Sequence, residues 1–127
     1  MANPEARLVL KMIELIKLAN INLNHFPKHE KYGLCQQIRQ NMYGIYDLII
    51  EAEKRYHKKT TLVNLDIAHE QLRMLFRLAF ELEYFKYHNG KSERGEAEYR
   101  RRYLAVNGLI DEVGAMIGGW IKSERTD

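Results

Sequence analysis

Apolar residues recur along most of the chain in alternating steps of three and four, the spacing of a single seam down an α-helix. The cleanest seam is Cys35, Ile38, Met42, Ile45, Ile49, Ala52 and Tyr56, which predicts a helix opening near His29–Lys31. A second seam, Leu65, Ala68, Leu72, Leu75, Ala79 and Leu82, predicts a helix from Leu62 to about Tyr87. Phe76, Leu78, Phe80 and Phe85 widen its apolar surface beyond what one intramolecular seam needs. A third seam, Tyr99, Tyr103, Val106, Ile110, Val113, Ile117 and Trp120, runs down the last long stretch. Leu8, Val9, Met12, Ile13, Ile16, Ala19 and Leu23 make a broader face on a first helix. Asn3-Pro4-Glu5 opens that helix with an N-cap candidate, a proline at the first position and an acid in the first turn.

The breaks between seams are short. The asparagines of Asn20–His25 favour turns, and Phe26-Pro27-Lys28 forms the first connector. Thr60 and Thr61 offer N-caps for the third helix, and His88-Asn89-Gly90-Lys91-Ser92 makes the next break. Gly90 suits the C′ position there, and Ser92 suits the following N-cap. With no strand signal, the expected architecture is all-α: an up-down-up-down four-helix bundle, with residues 1–127 forming a single domain.

Composition sharpens this picture little. The 127 residues are 46% apolar and 29% charged, too apolar for disorder. Both prolines, Pro4 and Pro27, lie in the first quarter, which leaves 100 proline-free residues for long helices. The lone Cys35 excludes an internal disulfide and suits a reducing cytoplasm. No run approaches the roughly 18 apolar residues of a membrane span, and the opening residues do not form a signal peptide. A cytoplasmic protein that does not engage a membrane is expected. The net charge of +3 is uneven. Residues 1–64 hold ten Lys/Arg against six Asp/Glu, and residues 65–127 hold ten against eleven.

Candidate chemistry is sparse. Pro27 lies between His25 and His29 and argues against their sharing one helix face; no paired Glu-x-x-His, HExxH or Cys/His cluster appears. His69-Glu70 stands alone on its helix, and Cys35 on its seam reads as a small buried hydrophobe. No phosphate-binding glycine loop follows a strand. No catalytic residue, metal or cofactor is expected.

The cations stand out instead. Arg100-Arg101-Arg102 lies at the start of the fourth helix, where the dipole disfavours positive charge. Arg73 and Arg77 are four apart in an otherwise apolar run, a like-charge spacing that costs a few tenths of a kcal/mol. Lys54, Arg55, Lys58 and Lys59 crowd the end of the second helix, where the dipole nearly suffices as an explanation. Surface pairing of Glu70 with Arg73 and of Arg77 with Glu81 is the competing account of the middle pair, and Glu96 and Glu98 can offset the arginine run. Distributed arginines without aromatic interleaving suggest contact with phosphates and not base reading. The fourth helix also carries Gly108, Gly114, Gly118 and Gly119, each costing about 1 kcal/mol against Ala. Close approach of another backbone at Gly114 and Gly118, within the bundle or in an oligomer, would explain them, with Gly119 and Trp120 at the same end.

Two stretches resemble known families. Phe26-Pro27-Lys28 with Leu34 to Arg39 (LCQQIR) is similar to the four-helix proteins encoded by intervening sequences in bacterial 23S ribosomal RNA genes. Most of the chain from residue 26 more closely resembles the accessory variability determinants of diversity-generating retroelements. The carrying residues are Leu65-Asp66, Leu72-Arg73 with Arg77, Asp111-Glu112-Val113-Gly114 and Gly118-Gly119-Trp120-Ile121-Lys122-Ser123. This resemblance implies a four-helix bundle that assembles into a ring, typically a homopentamer, with a basic surface. It implies a non-catalytic protein that binds the retroelement's reverse transcriptase and its template RNA or cDNA, supporting mutagenic cDNA synthesis. It also places a basic pair at Arg73 and Arg77. The alternative is a binding module of the 23S intervening-sequence class, associated with nucleic acid or the ribosome.

Overall fold

The computed structural model describes residues 4–88 and 95–125. Helix α1 spans Pro4–Leu23, α2 Leu34–Lys54, α3 Lys59–Glu81 and α4 Glu96–Arg125, with a 3-10 turn at Lys28–Glu30. No strand occurs among the described residues. Each helix packs on its neighbours in sequence, and α4 closes the square against α1. The contacts run in opposite directions along each pair. Cys35 Sγ reaches the Leu23 carbonyl, and Arg39 Nε donates to Asn20. Thr61 meets Glu51 while Asn41 meets Ala68. His69 meets Ile110 while Phe80 stacks on Tyr103. Consecutive helices are therefore antiparallel, and the chain forms the expected up-down-up-down four-helix bundle.

The core follows the seams. Ile38, Met42, Ile45, Ile49 and Ala52 of α2 are fully buried, as are Val106, Ile110, Val113 and Ile117 of α4. On α3 the buried line is Leu62, Leu65, His69, Leu72, Phe76 and Ala79. The expected line is thus rotated slightly: Ala68 and Leu75 are only half-buried, and Leu82 is exposed. Of the residues expected to widen the apolar face of this segment, Phe76 and Phe85 are buried in the chain's own core and Phe80 packs half-buried against it; only Leu78 is exposed, alongside Val63, Ile67, Met74 and Leu82.

The helix ends depart from expectation for local reasons. Helix α2 starts at Leu34 because Glu30 folds back and its Oε1 accepts the Leu34 N–H at 2.9 Å. A Cβ on Gly33 would lie 2.5 Å from that oxygen, so glycine permits the turn. Helix α2 ends at Lys54, where Arg55 turns extended, and Tyr56 therefore leaves the seam and is 91% exposed. Thr60 and Thr61 are not N-caps: α3 begins at Lys59, and the Thr61 hydroxyl donates to Glu51 at 2.8 Å. Helix α3 stops at Glu81, short of Tyr87. There Glu83 adopts a positive φ of 66°, the Tyr84 N–H reaches Ala79 O at 3.0 Å and the Glu83 N–H reaches Phe80 O at 2.9 Å. This is a Schellman stop with glutamate in the position that usually falls to glycine. It swings Phe85 back into the core. The caps expected at Asn3, Gly90 and Ser92 lie outside the described residues.

By length and mean hydropathy α4 is apolar enough to cross a membrane, although Asn107, Asp111 and Glu112 keep it from being an uninterrupted apolar run. Its Val106, Ile110, Val113, Ile117 and Trp120 are buried in the bundle, Leu109, Met116 and Ile121 are half-buried, and Leu104 is exposed.

Candidate nucleic-acid interface

The nine candidate cations do not converge. Antiparallel packing puts Lys54, Arg55, Lys58 and Lys59 at one end of the bundle, beside the end of α4, and Arg100, Arg101 and Arg102 at the other. The 23 residues of α3 separate these ends by about 35 Å. Arg73 and Arg77 lie between.

Arg73 is committed within the chain. Its guanidinium bonds Asp111 on α4 through Nη1 and sits 3.3 Å from Glu70 through Nε. The Asp111 bond holds its affinity for a proton above the ordinary value. It links α3 to α4. Arg77 is exposed and pairs with Glu81 at 2.8 Å. Both acids named from the sequence are used, and Asp111 is a third that helical spacing on α3 could not show.

At the α4 start, Arg102 turns inward. Its Nη1 donates to the carbonyls of Phe85 at 2.9 Å and Tyr87 at 2.7 Å. Its guanidinium lies 3.9 Å from the Tyr87 ring centroid, and that ring stacks on His25 at 4.5 Å. Arg101 pairs with Glu98 at 3.1 Å. Arg100 borders a small cleft of about 150 Å³ that Glu81, Glu83 and Glu96 also line. Lys86 pairs there with Glu96 at 2.6 Å. This end is balanced by acids.

At the other end, Lys58 bends back onto α2. Its Nζ donates to the carbonyls of Arg55 at 2.8 Å and Glu53 at 3.2 Å, and also to Ala52. It thereby neutralises the negative end of the helix dipole. Arg55 pairs with Glu51 at 3.2 Å. Lys54 and Lys59 are exposed. A groove of about 590 Å³ opens beside them, lined by Leu62, Val63 and Ile121 with Tyr56, His57, Lys59 and Arg125 around it. The sequence marks Tyr56 only as a seam position, and neither His57 nor Arg125 stands among its candidate site residues. The signal was present, since Lys54-Arg55-Tyr56-His57-Lys58-Lys59 does interleave aromatic and basic residues. The period of α2 assigns Tyr56 to the core and so masks it, whereas the helix ends at Lys54 and leaves the ring outside.

The α4 glycines divide. A Cβ on Gly114 would lie 2.6 Å from His69 Cε1, so the close neighbour is a side chain and not a backbone. His69 is buried, and its Nε2–H donates to the Ile110 carbonyl at 2.8 Å. His69 is the residue that sequence reasoning passed over. A polar side chain on the buried line of one helix facing a glycine of another was the available clue. At Gly118 and Gly119 a Cβ would meet no atom within 4 Å, so neither is explained by packing inside one chain. Trp120 is buried at the end of its seam. Burial raises the affinity of the Cys35 thiol for its proton, which suits a packing role over a nucleophilic one. No group of three or more metal-ligating side chains comes together among the described residues.

A search among curated proteins returns no match. A family model described as bAvd-like matches residues 8–124, which takes in all four helices and both ends described above. The chain thus belongs to the bAvd-like family, the accessory variability determinants that its sequence resembles.

Proposed function

We propose that the chain is a non-catalytic cytoplasmic accessory protein of a diversity-generating retroelement, binding its reverse transcriptase and its template RNA or cDNA. The observation that carries this reading is the family match along residues 8–124. The accessory role needs no catalytic constellation, and the cations supply a means of engaging phosphates or an acidic protein face. Lys54, Lys59, Arg77 and Arg100 are exposed and serve this role better than Arg73, Arg102 and Lys58, which are engaged within the bundle. The exposed apolar line of α3 supports self-association into a closed homo-oligomer, a pentamer by resemblance.

The test is a pull-down of the neighbouring reverse transcriptase together with a filter-binding titration on template RNA at two salt concentrations. Retention of both partners, with affinity falling as salt rises, is the expected result. Failure to retain either partner overturns the proposal. Light scattering that returns a mass near the 15.1 kDa of one chain removes the oligomer.

A further inference from the structure

The connector between α2 and α3 brings an exposed aromatic ring, cations and an apolar groove together. Tyr56 is 91% exposed, the most exposed of the large apolar side chains. Its ring is braced edge-on by His57, with centroids 4.8 Å apart and planes at 85°, which leaves an aromatic face open to solvent. Lys54 and Lys59 flank it in sequence, and Arg125 borders the same groove from α4. The groove floor is aliphatic, from Leu62, Val63 and Ile121, with Glu124 the one acidic residue lining it. Lys58 has already neutralised the carbonyl end of α2, so the helix terminus offers no repulsion to an anion.

An apolar floor and an open ring within a cationic rim match the two halves of an unpaired nucleotide. The base has a π-face and little charge; the phosphate needs cations. A duplex hides its base faces, and an acidic peptide has no need of the open ring. We infer that this end of the bundle is a binding site for single-stranded nucleic acid, with Tyr56 as the stacking platform for a base and Lys59 and Arg125 on the flanking phosphates. The inference rests on the proposed nucleic-acid role and gives it a location and a strand preference. Recognition by stacking is tolerant of sequence, since every base has a π-face.

The experiment is fluorescence anisotropy with a labelled oligouridine, an abasic strand of the same length, a duplex and a labelled oligoglutamate peptide. The proteins are the full chain, Tyr56→Ala, Tyr56→Phe and Lys59→Ala, each checked for its helical circular dichroism. The full chain should prefer oligouridine to the duplex and to the abasic strand. Tyr56→Ala should weaken oligouridine binding about tenfold or more with an unchanged salt slope, and Tyr56→Phe should retain binding. Lys59→Ala should flatten the salt slope. Oligouridine binding that ignores Tyr56→Ala, or an abasic strand that binds equally well, overturns this site and leaves the proposed function standing. Binding of no strand by the full chain overturns both the site and the nucleic-acid part of that function. Tyr56-dependent capture of the peptide with no capture of oligouridine makes the groove a protein-docking site and overturns the inference.

Discussion

Each end of the bundle carries a run of cations, and packing gives the two runs opposite fates. At the start of α4, Arg102 is drawn under the segment after α3, where it satisfies two carbonyls and lies against Tyr87. Its neighbours Arg100 and Arg101 stand among carboxylates. At the α2–α3 connector, one lysine turns inward to cap a helix, and Lys54, Tyr56 and Lys59 stay outside. A run of like charges is therefore not a surface. What decides its role is which groups lie within reach: at the α4 start Glu81, Glu83, Glu96 and Glu98 surround the arginines that stay outside, whereas at the connector the free carbonyls are taken by Lys58 and Glu124 is the one acid lining the groove.

This contrast can be broken by mutation. The largest effect should come from Arg102→Ala, which leaves two carbonyls without their charged donor and removes a cation–π contact. A loss of about 3 kcal/mol is expected, whereas Lys59→Ala should stay within about 0.5 kcal/mol. Urea titration of both variants checks this, and equal midpoints would erase the distinction between the ends.

The middle of the bundle gives a second, smaller contrast on one helix. Gly114→Ala places a methyl against the His69 ring and should cost roughly 2 kcal/mol through overpacking. Gly118→Ala meets open space and should instead stabilise one chain by about 0.5–1 kcal/mol, as mid-helix alanine does. Thermal melts distinguish the two signs. If Gly118→Ala also lowers the mass seen by light scattering, Gly118 faces another copy of the chain.

The smallest effect is one of pH at the acid-balanced end. Hydrogen bonds from the Leu34 N–H and then the Tyr84 hydroxyl hold the Glu30 carboxyl below its ordinary value of 4.5. Because that affinity for protons is lower in the folded state, Glu30 contributes stability above the unfolded value and loses it as pH falls through the folded one. Glu30→Gln should therefore melt below wild type at neutral pH, with the gap narrowing only once the pH drops under 4.5. A gap that is constant from neutral to acid pH would show that the carboxylate charge plays no part.

The four helices, their order and most of the core were legible in the sequence, because a narrow seam imposes a period of three and four residues whatever it packs against. The seams of α2 and α4 hold from Cys35 to Ala52 and from Tyr103 to Trp120. The family was legible too, through motifs on α2, α3 and α4. The line on α3 was less certain, since Ala68 and His69 both fit the period and only the glycine across the interface selects the histidine. Three things waited for the tertiary structure. The chain stops α3 at Glu81 because the backbone hydrogen bonds of the stop outweigh the dislike of the Glu83 side chain for positive φ. Arg73 finds Asp111 thirty-eight residues away, a distance that no helical spacing encodes. Tyr56 fits the period of α2 and still falls outside it, because Lys58 captures the terminal carbonyls and the helix ends before the tyrosine is reached. Periodicity specifies which face of a helix is apolar; where the helix ends, and which charges remain for a partner, depends on groups brought together from distant parts of the chain.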